Sequence, residues 1–303
     1  MDIPESARAG VRKYLGDEAD IFISKVDERL LRYGALWRLN DLSFMPTDTV
    51  NFLFSCVSAL YGPCVLKMCI PGPETATEIG CLRAYNGRGY VKLWDYSLTD
   101  DMMLLEKVKP GDQMWAVKDY RERARLMGER VKDLPIAWDG RGDYPTYRSW
   151  MEGIRAKLVG MGGLEEPVGL LDEAYAIYDG LKQTYDRDCL LHGDLHQENM
   201  LLNASGGYTV IDPKGVVDDP VMETARFLMN ETPCEDRKIF DMVDIMSPII
   251  NIPEADILKS MYIDAALSHC WTLEEFYDTP ELFTENKRRA LETIKFVRGL
   301  LGK

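Results

Sequence analysis

The pattern of apolar and polar positions changes character near residue 110. Before that point, apolar runs of strand length alternate with turn residues; the runs are "LWRLNDLSF", "VNFLFSCVSAL", "CVLKMCI", "YVKLWDYS" and "MMLLEKV". Between the third and fourth runs, Glu78, Leu82 and Tyr85 recur at helical spacing, and Asn86 and Gly87 form a typical helix stop. The first third of the chain is therefore predicted to contain five strands, with one helix after the third.

After residue 110 the apolar positions mostly follow the period of an α-helix, as in "DQMWAVKDYRERARLMGERVKDL", "VGLLDEAYAIYDGLKQTYD" and the closing "TENKRRALETIKFVRGLLG". Two short apolar runs, "DCLL" and "YTVID", interrupt the helices, and a turn at Gly206 and Gly207 predicts a hairpin made from these runs. Helix is expected to resume at Asp219 and Pro220, a typical N-cap with proline in the first turn.

This change of pattern predicts two lobes. The segment "KVKPGDQ" at 107–113 contains proline and glycine and is the candidate boundary. Residues 1–108 are expected to form a small β-rich N-terminal lobe, and residues 109–303 a larger, mainly helical C-terminal lobe.

Composition narrows the class of partner. The net charge of −14 argues against nucleic acid, because phosphate binding takes a basic face; it favours either simple solubility or a cationic small molecule. No apolar run approaches the roughly 18 residues of a membrane span, and the N-terminus lacks the apolar core of a secretion signal, so a cytoplasmic protein is expected. The seven scattered cysteines include no C-x-x-C pair and are interpreted as buried free thiols.

The segment "LLHGDLHQENMLL" at 190–202 places many polar groups between apolar flanks. Asp194 lies in it, Asn199 follows five residues later, and Asp212 ends the run "YTVID". Each alone would be a typical turn or capping residue. Together they match the needs of phosphoryl transfer from ATP, which takes a carboxylate to direct the acceptor hydroxyl and oxygen ligands for Mg²⁺.

At these residues the chain resembles a known family. "HGDLHQEN" followed by "VIDP" is similar to the catalytic and metal-binding segments of the aminoglycoside phosphotransferases, especially the streptomycin/hydroxyurea-type branch. The resemblance implies a bilobal, protein-kinase-like fold of the α+β class, whose N-terminal lobe has a five-stranded antiparallel sheet. It also implies ATP and Mg²⁺, with Asp194 as the catalytic base, Asn199 and Asp212 as metal ligands, and His192 as a support. Gly193 stands where protein kinases have arginine.

The resemblance extends into the first lobe. Lys67 in "CVLKMCI" matches the lysine that contacts the α- and β-phosphates, and Glu78 is its candidate partner, with Glu74 as the alternative. The first hairpin lacks the glycine-rich motif of protein kinases, so Thr47 and Thr49 are candidates to cap the phosphates instead.

The segment "LLEKVKPG" at 104–111 resembles the family's hinge, where the backbone of Glu106 and Val108 would hydrogen-bond adenine. Backbone contacts of this kind do not distinguish ATP from GTP.

Acceptor recognition is the least specified part of the sequence. Asp218, Glu223 and Glu231 follow the metal-binding segment and are candidates to bind a cationic acceptor such as streptomycin. The alternative is that they cap helices or form local ion pairs, for example between Glu223 and Arg226. His269 and Cys270 are adjacent, but two residues do not make a metal site, and packing is the favoured interpretation.

The sequence thus predicts an ATP- and Mg²⁺-dependent phosphotransferase acting on a hydroxyl of an aminoglycoside-like acceptor. One alternative is the same fold acting on choline, another amino alcohol or a sugar, because fold and motif do not fix the substrate. Another is a non-catalytic pseudokinase that binds nucleotide. A protein kinase is disfavoured, since no Ala-Pro-Glu segment follows Asp212. The sequence does not specify an oligomeric state.

Overall fold

A computed structural model describes residues 3–47, 49–231, 236–277 and 279–302. The chain divides into two compact units. One contains the residues up to Asp112 together with Leu201–Ile211, and the other contains Gln113–Met200 and the residues from Asp212 onward. The division therefore falls four residues after position 108, and a hairpin from the middle of the chain belongs to the first unit.

The first unit is built around an antiparallel sheet of five strands in the order β1-β2-β3-β5-β4. The strands are β1 (Leu39–Met45), β2 (Phe52–Ser58), β3 (Gly62–Met68), β4 (Leu93–Ser97) and β5 (Met102–Glu106). The predicted helix follows β3 and is helix α4 (Pro73–Tyr85), preceded by three helices described next. It ends at Asn86, whose φ of 47° is left-handed and lets its N–H reach the Leu82 carbonyl. The five-stranded antiparallel sheet with a helix after its third strand is confirmed.

Three helices that the strand pattern did not predict precede this sheet: α1 (Glu5–Leu15), α2 (Ala19–Ser24) and α3 (Val26–Leu36). They are held to the sheet by a shared hydrophobic core, to which Val11, Phe22, Leu30 and Trp37 contribute beside Phe52. The helices therefore share one hydrophobic core with the strands.

A three-stranded sheet corrects the predicted hairpin. "YTV" forms β10 (Tyr208–Val210), which pairs with β9 (Met200–Asn203), and β9 pairs in turn with β6 (Pro110–Gln113). The turn is closed by Asn203, whose side-chain oxygen accepts from the Gly207 N–H at 3.1 Å. "DCLL" is not the partner of this strand, because its residues Cys189–Leu191 pair instead with Val216–Asp218 and Ile136–Ala137.

The second unit is mainly helical. Its small sheet has the order β11-β8-β7, where β7 is Ile136–Ala137, β8 is Cys189–Leu191 and β11 is Val216–Asp218. Its helices are α5 (Tyr120–Asp133), α6 (Tyr147–Met161), α7 (Glu165–Lys182), α8 (Ala225–Glu231), α9 (Asp236–Ile250), α10 (Glu254–Phe276) and α11 (Pro280–Leu300). Helix α10 is the central element, since it packs against α6, α7, α8 and α11.

The predicted N-cap at Asp219 is confirmed. Its side chain accepts from the Val221 N–H at 3.0 Å, and the helix that Pro220 opens is a 3-10 turn, Pro220–Thr224, that leads into α8. The six described cysteines are free and buried, as expected: Cys56, Cys64, Cys69, Cys81, Cys189 and Cys270. Cys234 lies outside the described residues. Within the described ranges, no helix has both the length and the apolar character needed to cross a bilayer.

Candidate active site

The loop that follows β8 has a fixed backbone. His192 is fully buried, and its Nδ1 accepts from the Asp194 N–H at 3.1 Å. Gly193 has a φ of 79°, and a Cβ there would lie 2.8 Å from Val216 Cγ1 and 3.0 Å from the Trp150 ring. Both the left-handed backbone and the close neighbours exclude a side chain, which explains glycine at this position.

Asp194 and Asn199 are joined directly. Asn199 Nδ2 donates to the Asp194 carbonyl oxygen at 2.9 Å, which orients the amide and leaves Oδ1 as the side-chain atom available to a metal. The Asp194 side chain is 26% exposed; Oδ1 lies 3.1 Å from Arg226 Nε, and Oδ2 lies 3.8 Å from His196 Nε2. The distance to His196 is too long for a hydrogen bond, so Oδ2 can still accept one from a hydroxyl.

Asp212 lies two residues after β10 in a strained backbone conformation. Its φ of 58° is left-handed, which costs a non-glycine residue about 1 kcal/mol and is common at functional sites. The segment after it is tied to the Asp194 loop, because the Lys214 N–H donates to the His192 carbonyl at 2.8 Å. The structure thus brings the segments of Asp194, Asn199 and Asp212 together within the second unit.

The donor set here fits Mg²⁺. Asn199 Oδ1 and the Asp212 carboxylate are oxygen atoms of the hard type that Mg²⁺ prefers, and Mg²⁺ bound to nucleotide phosphates takes only one or two ligands from the protein. No three or more His, Cys, Asp or Glu side chains form a metal-binding group in the parts of the chain that the structure describes. The pair is therefore suited to a metal that shares its coordination with phosphate oxygens and water.

Glu223 braces the loop from behind. It is only 4% exposed, and its carboxylate accepts from the His192 N–H at 2.6 Å and the Gly193 N–H at 3.0 Å. Burial raises the pKa of Glu223 to about 7, although the two backbone donors act in the opposite direction. The side chain holds the backbone beside Asp194 rather than facing solvent.

The other two predicted acceptor carboxylates also have partners inside the protein. Asp218 is 1% exposed and accepts from Tyr178 Oη at 2.8 Å and Lys182 Nζ at 3.2 Å. Glu231 forms a buried ion pair with Arg123, whose Nη2 donates to Oε2 at 2.7 Å, and Lys238 Nζ lies 3.2 Å away. Since Asp218, Glu223 and Glu231 are all buried and engaged, we do not assign the acceptor site to them.

In the first unit, Lys67 and Glu78 form a buried ion pair. Lys67 Nζ lies 2.7 Å from both Glu78 oxygens, and the two residues are 4% and 7% exposed. Glu74 lies one turn earlier in α4 and is exposed. The pairing therefore selects Glu78 over Glu74 as the residue that holds the lysine.

The predicted hinge follows β5. The Glu106 N–H donates to the Lys92 carbonyl at 2.8 Å, so an adenine contact from Glu106 has to use its carbonyl oxygen. Val108 lies two residues beyond the end of the strand. In the first hairpin, Thr47 and Thr49 are exposed, and Thr49 Oγ1 accepts from the Asn51 N–H at 3.1 Å.

Comparison with known proteins decides the family. The family model described as aminoglycoside/hydroxyurea antibiotic resistance kinase matches residues 45–275, about three quarters of the chain. The chain belongs to this family. As an antibiotic resistance kinase by family, it is a phosphotransferase with an alcohol group as acceptor.

Two curated relatives of this kinase are named as a kinase and as a phosphotransferase. Streptomycin 6-kinase from Streptomyces glaucescens is 24% identical over 223 residues, which cover 73% of this chain and 72% of the relative. Hydroxyurea phosphotransferase from Kitasatospora aureofaciens is 25% identical over 235 residues, which cover 76% of this chain and 68% of the relative.

The protein-kinase-like fold is confirmed by solved structures. The choline kinase LicA from Streptococcus pneumoniae superposes with a TM-score of 0.65 at 14% identity, covering 89% of this chain and 98% of that one. Its complex with AMP gives a TM-score of 0.66 at 12% identity, covering 90% and 98%. At such identities the likeness concerns the fold alone.

Two residues of this kinase's site were missed by sequence reasoning. Arg226, interpreted as a local partner of Glu223, lies instead beside Asp194 and within 3.2 Å of Asp264 on α10. Asp264 did leave a signal, because it is a single charged residue inside the apolar helical run "MYIDAAL". A lone charge on a buried helix face usually has a specific partner.

Proposed function

We propose that this protein transfers the γ-phosphate of ATP to a hydroxyl of a cationic, aminoglycoside-like acceptor of the streptomycin type, in a Mg²⁺-dependent reaction. The observation that carries the proposal is the partly exposed carboxylate of Asp194, on a loop whose surrounding groups are fixed. The family, the two relatives named for small-molecule acceptors and the AMP complex of a structural neighbour support it. The net charge of −14 is in keeping with a cationic acceptor.

Asp194 is the proposed base. Its Oδ2 accepts a hydrogen bond from the acceptor hydroxyl and takes the proton as the new oxygen–phosphorus bond forms and the bond to ADP breaks. His192 and Asn199 hold the backbone of Asp194 from both sides, which limits the geometry the carboxylate can adopt. Catalysis then comes from positioning and charge stabilisation rather than from a covalent intermediate.

The remaining predicted residues are proposed to bind nucleotide and metal. Lys67, oriented by Glu78, contacts the α- and β-phosphates, while the Glu106 carbonyl and the Val108 N–H contact adenine or guanine. Asn199 Oδ1 and the Asp212 carboxylate hold the metal; when bound, Mg²⁺ neutralises charge on the phosphate oxygens. By this assignment residues 1–108 form the nucleotide-binding lobe and residues 109–303 carry the catalytic loop and the acceptor site.

The test is Asp194→Asn, assayed with ATP and Mg²⁺ against streptomycin, other aminoglycosides, hydroxyurea and choline. We expect wild type to phosphorylate a streptomycin-type acceptor, measured by ADP release and by the mass of the product. The variant should melt like wild type, bind nucleotide and lose about 100- to 10,000-fold in turnover. The matched control is Asp172→Asn, an exposed carboxylate on α7, which should keep full activity. Near-wild-type turnover by Asp194→Asn would contradict the mechanism.

The same panel tests the second candidate acceptor class. The likeness in fold to a choline kinase, which extends over 98% of that protein, favours including choline and other amino alcohols. Phosphorylation of choline in preference to every aminoglycoside would replace the proposed acceptor but keep the chemistry. Nucleotide binding without acceptor-dependent ADP release across the panel would favour a non-catalytic protein.

A further inference from the structure

Arg226 has an unusual set of contacts. Each nitrogen of its guanidinium faces a different side chain: Nε lies 3.1 Å from Asp194 Oδ1, Nη1 donates to Ser268 Oγ at 2.7 Å, and Nη2 lies 3.2 Å from Asp264 Oδ1. Because the guanidinium is planar and rigid, the hydrogen bond to Ser268 and the ion pair with Asp264 together restrict the direction in which Nε points. Helix α10 therefore sets the position of Nε beside Asp194 through Ser268 and Asp264.

The ion pair with Arg226 is the contact that explains a buried carboxylate at Asp264. Asp264 is fully buried in α10, and its two oxygens accept no hydrogen bond from any described residue. Within the described ranges, Arg226 is the cation that pairs with it, and Arg226 is shared with Asp194. Two carboxylates with one guanidinium leave a buried charge incompletely compensated, which costs stability. The contact to Arg226 accounts for the aspartate better than packing does.

The carboxylate of Asp194 needs such a fixed neighbour. His192 and Asn199 hold its backbone N–H and carbonyl, but these contacts leave its side-chain torsions free. The Arg226 Nε contact is an ion pair without the alignment of a hydrogen bond, so it restrains the carboxylate without saturating it.

We propose that Arg226, anchored by Asp264 and Ser268, is a positioning residue that holds Oδ1 of Asp194 so that Oδ2 faces the acceptor hydroxyl. This inference rests on the proposed role of Asp194 as the base. It assigns Asp264, which touches no reacting group, an effect on turnover.

The first test is Asp264→Asn, which keeps the shape and removes the charge. We expect kcat to fall about tenfold, because the reacting groups lose their alignment, with the KM for ATP unchanged. The melting temperature should stay the same or rise, since an incompletely compensated buried charge is removed. A purely structural aspartate would give a lower melting temperature and a parallel loss of activity, and that result, or an unchanged kcat, would overturn the proposal.

The second test is chemical rescue of Arg226→Ala. The side chain of Arg226 is 22% exposed, so a small molecule can reach the space left behind. We expect about a 100-fold loss of kcat, partly restored by ethylguanidinium. Ethylammonium, which has the charge but not the planar set of N–H donors, should not restore it. Ethylurea, which has the planar shape but not the charge, should not restore it either. Equal rescue by all three, or none, would contradict the proposal. The control is Arg155→Ala, an exposed arginine paired with Asp172, which should keep wild-type kcat.

Asp194→Asn in the same assays separates the two proposals. If that variant keeps its turnover, the proposed function fails. If it is inactive while Asp264→Asn and Arg226→Ala both turn over like wild type, only the positioning inference fails.

Discussion

His269 follows Ser268 on α10, and its Nε2 is buried without a hydrogen-bond partner among the described residues. Burial, with a smaller contribution from the nearby Arg226, lowers the pKa of His269 to about 4 from its ordinary 6.5. The folded protein therefore holds this imidazole neutral over a range in which the unfolded chain binds a proton. No metal or catalytic role is needed to explain the residue.

A pH-dependent stability follows from that shift. As the pH falls from 6.5 to 4, the unfolded chain gains the proton first, so wild type should lose stability, by at most about 3 kcal/mol from this residue. His269→Leu should remove this part of the loss. Urea unfolding of both proteins at several pH values gives the difference, in which His192 and His196 cancel because both proteins contain them. Parallel curves would show that His269 is not the group responsible.

Lys67 and Glu78 give a second prediction at this scale. Glu78→Gln removes the charge that orients Lys67, so kcat/KM for ATP should fall about tenfold. Glu74→Gln is the matched control, one turn earlier on the same helix and exposed, and it should leave kcat/KM unchanged. Steady-state kinetics with varied ATP checks both. Equal effects of the two substitutions on kcat/KM would show that Glu78 does not orient Lys67.

Single residues also mark the limit of prediction from sequence. Asp194 and Asn199 could be predicted because a fixed spacing in one loop carries their chemistry. The environments of Glu223 and Glu231 could not be predicted, since their hydrogen-bond donors lie 31 and 108 positions away in the sequence. A local pattern shows which residues are polar, but not which distant donor will bury them.

At the scale of elements, the strands and α4 were predictable because each has its own hydrophobic run and its own stop. Helices α1 and α2 could not be predicted in this way, because each is short and buries few residues. Val11 is buried in α1, and Ala19 and Phe22 are buried in α2. The sequence also could not predict that β10 pairs with β9 rather than β8, because several short apolar runs were equally suitable partners.

Helices α5 and α8 are joined by the buried pair of Arg123 and Glu231. Glu231→Gln should lower the free energy of unfolding by about 3 to 5 kcal/mol, because Arg123 then keeps a buried charge with an incomplete partner. Turnover per folded molecule and the KM for the acceptor should not change. Denaturant unfolding and steady-state kinetics measure the two effects separately. A raised acceptor KM without loss of stability would return Glu231 to the acceptor site.

At the scale of the whole molecule, the excess of 50 acidic over 36 basic residues gives a field that attracts cations and is screened by salt. The three predicted acceptor carboxylates, Asp218, Glu223 and Glu231, are buried and already have partners inside the protein. The long-range field is thus the remaining electrostatic argument for a cationic acceptor.

That field makes a prediction which does not depend on any single acceptor contact. For a polycation such as streptomycin, kcat/KM should fall as the ionic strength rises from about 0.01 to 0.15 M, because the Debye length shortens from about 30 to 8 Å. Hydroxyurea, uncharged near neutral pH, is the matched acceptor and should show little change in the same enzyme. Comparing the two acceptors cancels the effect of salt on ATP and Mg²⁺ binding, which they share. Equal salt dependence for both would mean that the negative charge serves solubility and does not attract the acceptor.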